Sequence, residues 1–198
     1  MSAQRQITHL LYLHGFRSSP KSNKARRMTA LLASQYPAVI WWCPQLPASP
    51  RQAMHEVMQG IAGWPQHSMA VVGSSLGGFY ASWVAQQTHC MAVLLNPAVD
   101  PARDLAQYIG EHSIWHDPAE HFFFREEFVQ ELRDLMLPES IYPERTLAII
   151  AKGDELLDWR EMQAHYARGP IRLVEGSDHA LSDFEAHLPA LLEFFGLH

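Results

Sequence analysis

Short apolar runs alternate with helix-like segments along most of the chain, and this alternation is the strongest constraint on its fold. Apolar strands that alternate with helices predict a parallel sheet covered by helices on both faces. The pattern therefore predicts an α/β fold with a mostly parallel sheet of about six strands. The strand-like runs are 7–13, 39–43, 69–72, 91–95, 147–151 and 171–174, and the helix-like segments are 23–35, 50–64, 78–87, 159–168 and 183–195.

The 198 residues predict a single domain over 1–198, because a chain of this length can bury one substantial core. Residues 101–143 interrupt the alternation, and we expect them to form a small helical insertion that acts as a lid. Open parallel sheets bind their ligands beyond the carboxyl ends of the strands. We therefore expect the functional residues in the loops that follow the strands.

Charge and composition exclude several kinds of partner. A net charge of −6 disfavours nucleic-acid binding, which needs clustered Lys and Arg, and the basic stretch 21–27 is interpreted as a solvated helix face. No apolar run is long enough to cross a bilayer, and the first residues lack the apolar core of a signal peptide. Only two cysteines occur, Cys43 and Cys90, which favours a reducing compartment. We expect a cytoplasmic protein without membrane or nucleic-acid partners.

The pentapeptide 73–77, Gly-Ser-Ser-Leu-Gly, has the G-x-S-x-G pattern of a serine nucleophile. A strand-like run precedes it and a helix-like segment follows it, so Ser75 lies at a sharp strand-to-helix corner. At such a corner the hydroxyl projects beyond the sheet edge, where it can attack a substrate. The alternative is a glycine-flanked turn whose serine only caps a helix. Ser74 is a weaker candidate, because no glycines stand two places either side of it.

A serine nucleophile needs a histidine base, and the base needs an acid that orients it. Asp154 follows the fifth predicted strand, and His179 lies in the loop after the sixth. The order of Ser75, Asp154 and His179 is that of α/β-hydrolases. Glu155 and Asp158 are alternatives for the acid, although Asp158 also suits the N-terminus of a helix.

Acyl transfer also needs two backbone N–H groups that stabilise the oxyanion of the tetrahedral intermediate. Leu76 follows the candidate nucleophile and is expected at the N-terminus of the predicted helix, so its amide is the first candidate donor. Phe16 follows His14 and Gly15 in the loop after the first strand, and its amide is the second. We expect His14 to brace this loop rather than to transfer protons. The alternative is an ordinary strand-to-helix turn.

Several of these stretches together resemble the YqiA-like esterases, a small branch of the α/β-hydrolase superfamily. The resemblance runs from about residue 7 to 195, and it implies a compact α/β-hydrolase fold without the first two strands of larger hydrolases. It also implies hydrolysis of simple acyl esters, with acyl-CoA thioesters as a further class, and no cofactor. The matching stretches are 12–20 (YLHGFRSSP), 73–81 (GSSLGGFYA), 95–99 (LNPAV), 152–158 (KGDELLD) and 176–179 (GSDH).

Three further residues are candidates for substrate binding. Arg17 follows the oxyanion loop and could bind an anionic group of the substrate, or it could only stabilise the loop. Trp115 and Phe123, within the insertion and together with the neighbouring Phe122 and Phe124, could line an acyl pocket. The alternative is that these aromatic side chains bury the insertion against the rest of the protein.

Other functions remain open at this level. A non-catalytic member of the fold could use the cleft to bind a ligand or a protein, although such a protein needs no intact triad. A metalloenzyme could use His112, His116 and His121, but they lack an H-E-x-x-H pattern and Pro118 interrupts the segment, so we expect no metal. A peptidase or a peroxidase on the same scaffold is also compatible with these residues.

Overall fold

The structure is a computed structural model and describes residues 6–115, 117–137 and 142–197. Short 3₁₀ helices lie at Ala106–Tyr108, Pro143–Arg145 and Phe184–His187. The strands are β1 His9–Leu13, β2 Ile40–Trp42, β3 Met69–Ser74, β4 Met91–Leu95, β5 Gly110–Ile114, β6 Asp117–Phe124, β7 Thr146–Ala151 and β8 Ile171–Val174. The helices are α1 Asn23–Gln35, α2 Pro50–Gly60, α3 Leu76–Thr88, α4 Pro101–Leu105, α5 Glu126–Asp134, α6 Trp159–His165 and α7 Leu188–Phe195.

The main sheet has six strands in the order β2-β1-β3-β4-β7-β8, and every pairing in it is parallel. Alternate side chains of each strand point to opposite faces. In β1, Leu11 packs with α2 and α3, whereas Leu10 packs with α1 and α7. The predicted α/β fold, with a parallel sheet covered on both faces, is confirmed.

The strand order creates a crevice at the carboxyl edge of the sheet. After β1 the chain crosses to β2 on one side, whereas after β3 it crosses to β4 on the other side. The loops that follow β1 and β3 therefore diverge and leave an opening between them, which is where such sheets bind ligands. The loop 14–20 and the serine corner at residue 75 both lie at this opening.

The insertion is helical only in part. Strands β5 and β6 form an antiparallel hairpin between α4 and α5, with an irregularity between Ser113 and Ile114. The expectation of a helical insertion is corrected here, because Phe122 and Phe124 alternate with Phe123 at a period of two residues. That period suits a strand with one buried face. Within the described ranges, no helix is both long and apolar enough to cross a membrane.

Candidate active site

The backbone at Ser75 has a conformation that residues other than glycine rarely adopt, with φ 57° and ψ −120°. Two glycines make this corner possible by allowing three backbone segments to touch. A Cβ on Gly77 would lie 2.0 Å from the carbonyl oxygen of Leu13, and a Cβ on Gly73 would lie 2.0 Å from that of Gly77. No other residue fits at either position, so the G-x-S-x-G pattern here reflects close packing of β1, β3 and α3.

Ser75, His179 and Asp154 form one hydrogen-bonded chain, although they are far apart in the sequence. The Oγ of Ser75 lies 2.9 Å from Nε2 of His179. On the other side of the ring, Nδ1 lies 2.8 Å from Oδ2 and 3.0 Å from Oδ1 of Asp154. Because the carboxylate accepts the Nδ1 proton, Nε2 is the unprotonated nitrogen and can accept the serine proton.

The carboxylate of Asp154 is completely buried and held by backbone amides. Its side chain is 0% exposed, and its Oδ1 accepts hydrogen bonds from the N–H groups of Leu156 and Leu157, each at 2.9 Å. Asp158, an alternative acid in the sequence, instead caps α6 by accepting from the amide of Arg160 at 2.9 Å. The geometry therefore brings Asp154, rather than Asp158, to the histidine.

The loop that carries His179 is fixed from two sides. Glu155, the other alternative acid, accepts a hydrogen bond from the backbone N–H of His179 at 2.9 Å. Asn96, which directly follows β4, donates from Nδ2 to the carbonyls of Asp178 and His179 at 3.0 and 3.1 Å. Its Oδ1 accepts from the amide of Ala151 at 2.8 Å, and the residue is 0% exposed. Sequence reasoning assigned Asn96 no role, although its place after a central strand pointed to this edge.

The two candidate oxyanion donors come from two different segments, the loop after β1 and the start of α3. Leu76 is the first residue of α3, where amides have no partner within the helix. Phe16 follows Gly15, at which an added Cβ would lie 3.7 Å from Ser75 Oγ. Among the described residues, the amides of Phe16 and Leu76 donate to no backbone carbonyl. Both N–H groups can therefore bind a substrate oxygen.

His14 orients the peptide that carries the Phe16 amide. The N–H of Leu46 donates to Nε2 of His14 at 3.0 Å, so the ring proton is on Nδ1, which lies 3.0 Å from the Gly15 carbonyl. In a trans peptide, the C=O and N–H groups point in opposite directions. The Gly15 carbonyl is turned toward His14, and the N–H of Phe16 therefore points away from it. This geometry agrees with a bracing role for His14.

The ring of Phe16 packs against the inner face of the β5–β6 hairpin. Its centroid lies 5.7 Å from that of Phe122 and 5.2 Å from that of Phe124. Phe123, which the sequence suggested for substrate binding, points to the opposite face and is 56% exposed. Successive side chains of a strand face opposite ways, so Phe122 and Phe124 take the inner positions and Phe123 does not line the site.

Arg17 connects the loop 14–20, the candidate oxyanion loop, to the hairpin. Its Nε donates to the Ser113 carbonyl at 3.0 Å, and its guanidinium lies 4.2 Å from the ring centroid of Trp115. The Arg17 carbonyl also accepts from the Trp115 amide at 2.9 Å. These contacts correspond to the loop-stabilising alternative for Arg17. Trp115, although 63% exposed, lies at the edge of the cavity that contains Ser75.

Two cavities flank the oxyanion loop. The nucleophile cavity, of about 330 Å³, contains Ser75 and His179, and the hairpin cavity, of about 210 Å³, lies on the Leu76 side. Both share Gly15, Phe16 and Ser18. The other residues of the nucleophile cavity are Tyr12, Ser22, Asn23, Lys24, Ser74, Trp115, Glu155, Leu156, Ala180 and Ser182. Those of the hairpin cavity are His14, Arg17, Gln45, Leu46, Pro47, Ala48, Leu76, Tyr80, Ile114, Glu120, Phe122 and Phe124.

Lys24 was missed by sequence reasoning, which placed 21–27 on a solvated helix face. Its Nζ donates to the carbonyl of Ala180, the residue after His179. Burial lowers the pKa of this ammonium to about 8, against the raising effect of Asp178 and Asp154. The first turn of α1 faces the sheet edge, and no charge pattern in the sequence distinguishes that turn from the rest of the helix.

The described part of the chain contains no set of side chains that could bind a metal ion. There, no group of three or more His, Cys, Asp or Glu side chains is arranged to hold a metal ion. Nε2 of His112 donates to the Tyr108 carbonyl, and Nδ1 of His121 lies 3.4 Å from a Glu111 carboxylate oxygen. His116, the third histidine of that hypothesis, lies outside the described residues.

Solved structures with the same fold include hydrolases of distant sequence. A protein of Agrobacterium vitis S4, named only provisionally as a hydrolase, has a TM-score of 0.74 at 18% identity and covers 96% of this chain and 91% of its own. Est1E of Butyrivibrio proteoclasticus with ferulic acid bound has a TM-score of 0.68 at 13% identity, covering 98% and 92%. A Pyrococcus furiosus esterase, Pf2001, reaches 0.62 at 17%, covering 96% and 80%. These likenesses show the α/β-hydrolase fold.

A family model matches nearly the whole chain, from residue 9 to residue 196. The matched region contains β1 with its oxyanion loop, the serine corner, and the loops of the acid and the histidine. Its description is "Uncharacterised protein family (UPF0227)". The chain therefore belongs to the UPF0227 family, which is the YqiA-like family that its motifs indicate.

Proposed function

We propose that the protein is a serine hydrolase that cleaves small acyl esters through a covalent acyl-enzyme. The observation that carries the proposal is the hydrogen-bonded chain from Ser75 Oγ through His179 to the buried Asp154. A serine hydroxyl is a weak nucleophile without a base that is already in the right tautomer. In the neutral ring, the Asp154 carboxylate favours a proton on Nδ1, which leaves Nε2, 2.9 Å from the hydroxyl, to accept the serine proton.

In the first step, Ser75 Oγ attacks the ester carbonyl while His179 Nε2 accepts the hydroxyl proton. The tetrahedral oxyanion accepts hydrogen bonds from the amides of Phe16 and Leu76, and the negative charge of Asp154 stabilises the imidazolium. Nε2 then donates its proton to the leaving oxygen. The C–O bond breaks, the alcohol departs, and the acyl group remains on the serine.

In the second step, His179 takes a proton from water, and the resulting hydroxide attacks the acyl carbonyl. The same two amides stabilise the second oxyanion, and the histidine returns the proton to Ser75 as the acid leaves. The reaction therefore consumes one water and regenerates the free enzyme. No cofactor takes part in either step.

The two cavities suggest how an ester would lie. Because His179 protonates the leaving oxygen, the alcohol part belongs in the nucleophile cavity, which contains this histidine. The acyl chain then extends past Leu76 into the hairpin cavity, where Phe122, Phe124 and Leu46 offer apolar surface. Two of the structural relatives are named esterases or bind an aromatic acid, which agrees with an ester substrate. Thioesters would use the same steps with a thiol as leaving group.

The proposal is tested by 4-nitrophenyl esters and acyl-CoA thioesters of graded chain length, together with labelling by a fluorophosphonate. Ser75→Ala should abolish labelling and lower kcat by about six orders of magnitude, as in hydrolases whose triad acts as a unit. Ser74→Ala is the matched control, because it removes the neighbouring hydroxyl, which is buried and not bonded to the histidine. It should leave labelling unchanged.

A folded Ser75→Ala protein that still hydrolyses these esters would contradict the proposal. Absence of both labelling and turnover in the wild type would favour the non-catalytic alternative, in which the cleft only binds a ligand. Labelling of Ser75 with turnover of amides alone would instead indicate a peptidase.

A further inference from the structure

Lys24, in the nucleophile cavity, has no ion-pair partner among the residues that the structure describes, and its placement has a cost for folding. Lys24 is the second residue of α1, where the positive end of the helix dipole disfavours a cation. It is half-buried beside Ser75 and His179, and burial disfavours its charged form. Both effects lower the stability of the folded protein, so a role in binding explains a lysine at this position better than a role in folding.

The charges around Lys24 do not neutralise it. Among the described residues, no carboxylate forms an ion pair with it, and its one hydrogen bond goes to the neutral carbonyl of Ala180. Asp178 and Asp154 act on it only through longer-range attraction. The carboxylate of Asp178 accepts hydrogen bonds from Ser182, and that of Asp154 accepts one from His179. Two of the three ammonium donors are therefore available to a molecule in the cavity.

The side of the cavity identifies which part of a substrate would meet this ammonium. Lys24 bonds to Ala180, directly after His179, so it lies on the side of the residue that protonates the leaving oxygen. The hairpin cavity, on the other side of the oxyanion loop, does not include Lys24. Glu155 also lines the nucleophile cavity, but its Oε2 accepts from the His179 amide. The cation therefore faces the alcohol part of an ester.

We propose that Lys24 is a specificity residue and that its ammonium binds a carboxylate or phosphate group on the alcohol part of the substrate. The inference rests on the proposed hydrolase function and adds the substrate class to it: esters whose leaving group is an anion. An anion at this position pairs with the ammonium, and it relieves both costs of placing a lysine there. Its ion pair lies in a partly buried cavity, where charge pairs are stronger than at an open surface.

The test uses butyrate esters of three phenols, which share the acyl group and differ in the neutral or anionic substituent on the leaving group. Methyl 4-(butyryloxy)benzoate is the neutral reference, 4-(butyryloxy)benzoate carries a carboxylate, and 4-(butyryloxy)phenyl phosphate carries a phosphate. The variant Lys24→Met keeps the length of the side chain and removes its charge, and Lys24→Arg restores a charge. Arg26→Met is the matched control, because it removes a positive charge from an exposed position of the same helix.

We expect Lys24→Met to lower kcat/KM by about tenfold or more for at least one anionic ester, as for a desolvated charge pair, and by less than about threefold for the neutral ester. Lys24→Arg should recover part of the lost kcat/KM, and Arg26→Met should leave kcat/KM unchanged for both the neutral and the anionic esters. The carboxylate and phosphate substrates show which anion is preferred. An equal loss for neutral and anionic esters would overturn the proposal, since it would make Lys24 only a brace for the Ala180 loop.

Binding without turnover separates this inference from the proposed function. Calorimetry of Ser75→Ala with 4-(butyryloxy)benzoate should give binding that the additional Lys24→Met change weakens by about tenfold. If the variants show this difference in binding but the wild type hydrolyses no ester, the proposed hydrolase function is refuted and the anion-binding role of Lys24 is retained. Equal affinity in both variants would refute the anion site, whatever the wild type hydrolyses.

Discussion

Replacing Asn96 by alanine should both destabilise the protein and slow the reaction. This side chain joins β4, β7 and the histidine loop through three hydrogen bonds, to the carbonyls of Asp178 and His179 and from the amide of Ala151. The residue is 0% exposed, and the Ala151 amide that it binds is equally buried, so water reaches that amide only after a rearrangement. Removing one side chain therefore affects both the core and the position of His179, the proposed base.

The expected loss of stability follows from where the three partners lie. The N–H of Ala151 is in a fully buried strand, and leaving it without a partner costs about 1–3 kcal/mol. The carbonyls of Asp178 and His179 lie in a half-buried loop, where water can replace the lost donor, so each net loss is about 0.5–1.5 kcal/mol. The total is about 2–6 kcal/mol, a large part of a typical domain's stability.

Two measurements check this prediction. Urea denaturation should show the stability loss, with a lower midpoint and an unchanged slope. Turnover of 4-nitrophenyl butyrate should fall by about 10–100-fold in kcat, with a smaller change in KM, because a loosened histidine loop misplaces the base rather than the substrate.

Asn96→Gly is the matched control, since Asn96 has a positive φ of 42° that alanine tolerates poorly and glycine adopts freely. The hydrogen-bond argument requires the glycine variant to lose most of what the alanine variant loses. A glycine variant with nearly wild-type stability would attribute the effect to backbone strain alone and refute the reasoning.

The remaining predictions concern the triad, the hairpin and the lysine. Asp154→Asn should fold but lose about 10⁴-fold in kcat, and pre-steady-state assays can measure that loss. The amide oxygen keeps the two hydrogen bonds from the backbone, so the NH₂ group faces His179 and forces the ring proton onto Nε2. Phe122→Ala should lower kcat/KM for esters with longer acyl chains. Phe123→Ala, on the exposed face of the hairpin, should leave kcat/KM unchanged at every chain length. Lys24→Met should be more stable than the wild type at pH 7, because the native pKa of Lys24, about 8, lies below its ordinary value of 10.5. The unfolded chain then binds more protons between these values, so the advantage should shrink as pH rises from about 8 to 10.5 in urea titrations.

The parts of the fold that follow from local pattern were predictable from the sequence. The helix predicted over 23–35 is α1 with the same bounds, and the strand predicted over 91–95 is β4. Both have strong periodicity and clear end signals, such as the cap at Ser22. The helix predicted over 183–195 is divided into a 3₁₀ turn and α7, because Pro189 near the start of α7 favours a new helix start there.

The arrangement of the candidate triad was also predictable, because parallel strands place their carboxyl ends at one edge. Ser75, Asp154 and His179 each follow such a strand, so topology alone brings them close together. Position favoured Asp154, which comes first after the strand, but it did not exclude Asp158. The choice between them depends on which carboxylate turns inward, and the amides of Leu156 and Leu157 hold that of Asp154.

The residues that sequence reasoning misassigned share one cause, which is that their roles depend on which face of an element meets a neighbour. For Phe123, the neighbouring phenylalanines have the same composition, and only the pairing of β5 with β6 decides which ring points inward. Lys24 belongs to a basic run whose other members are solvent-exposed, such as Arg26. Its first helical turn, however, lies over the carboxyl edge of the sheet, beside the nucleophile. A charge on an amphipathic helix is therefore solvated or functional according to where the helix starts relative to the sheet, and the helical period alone does not carry that information.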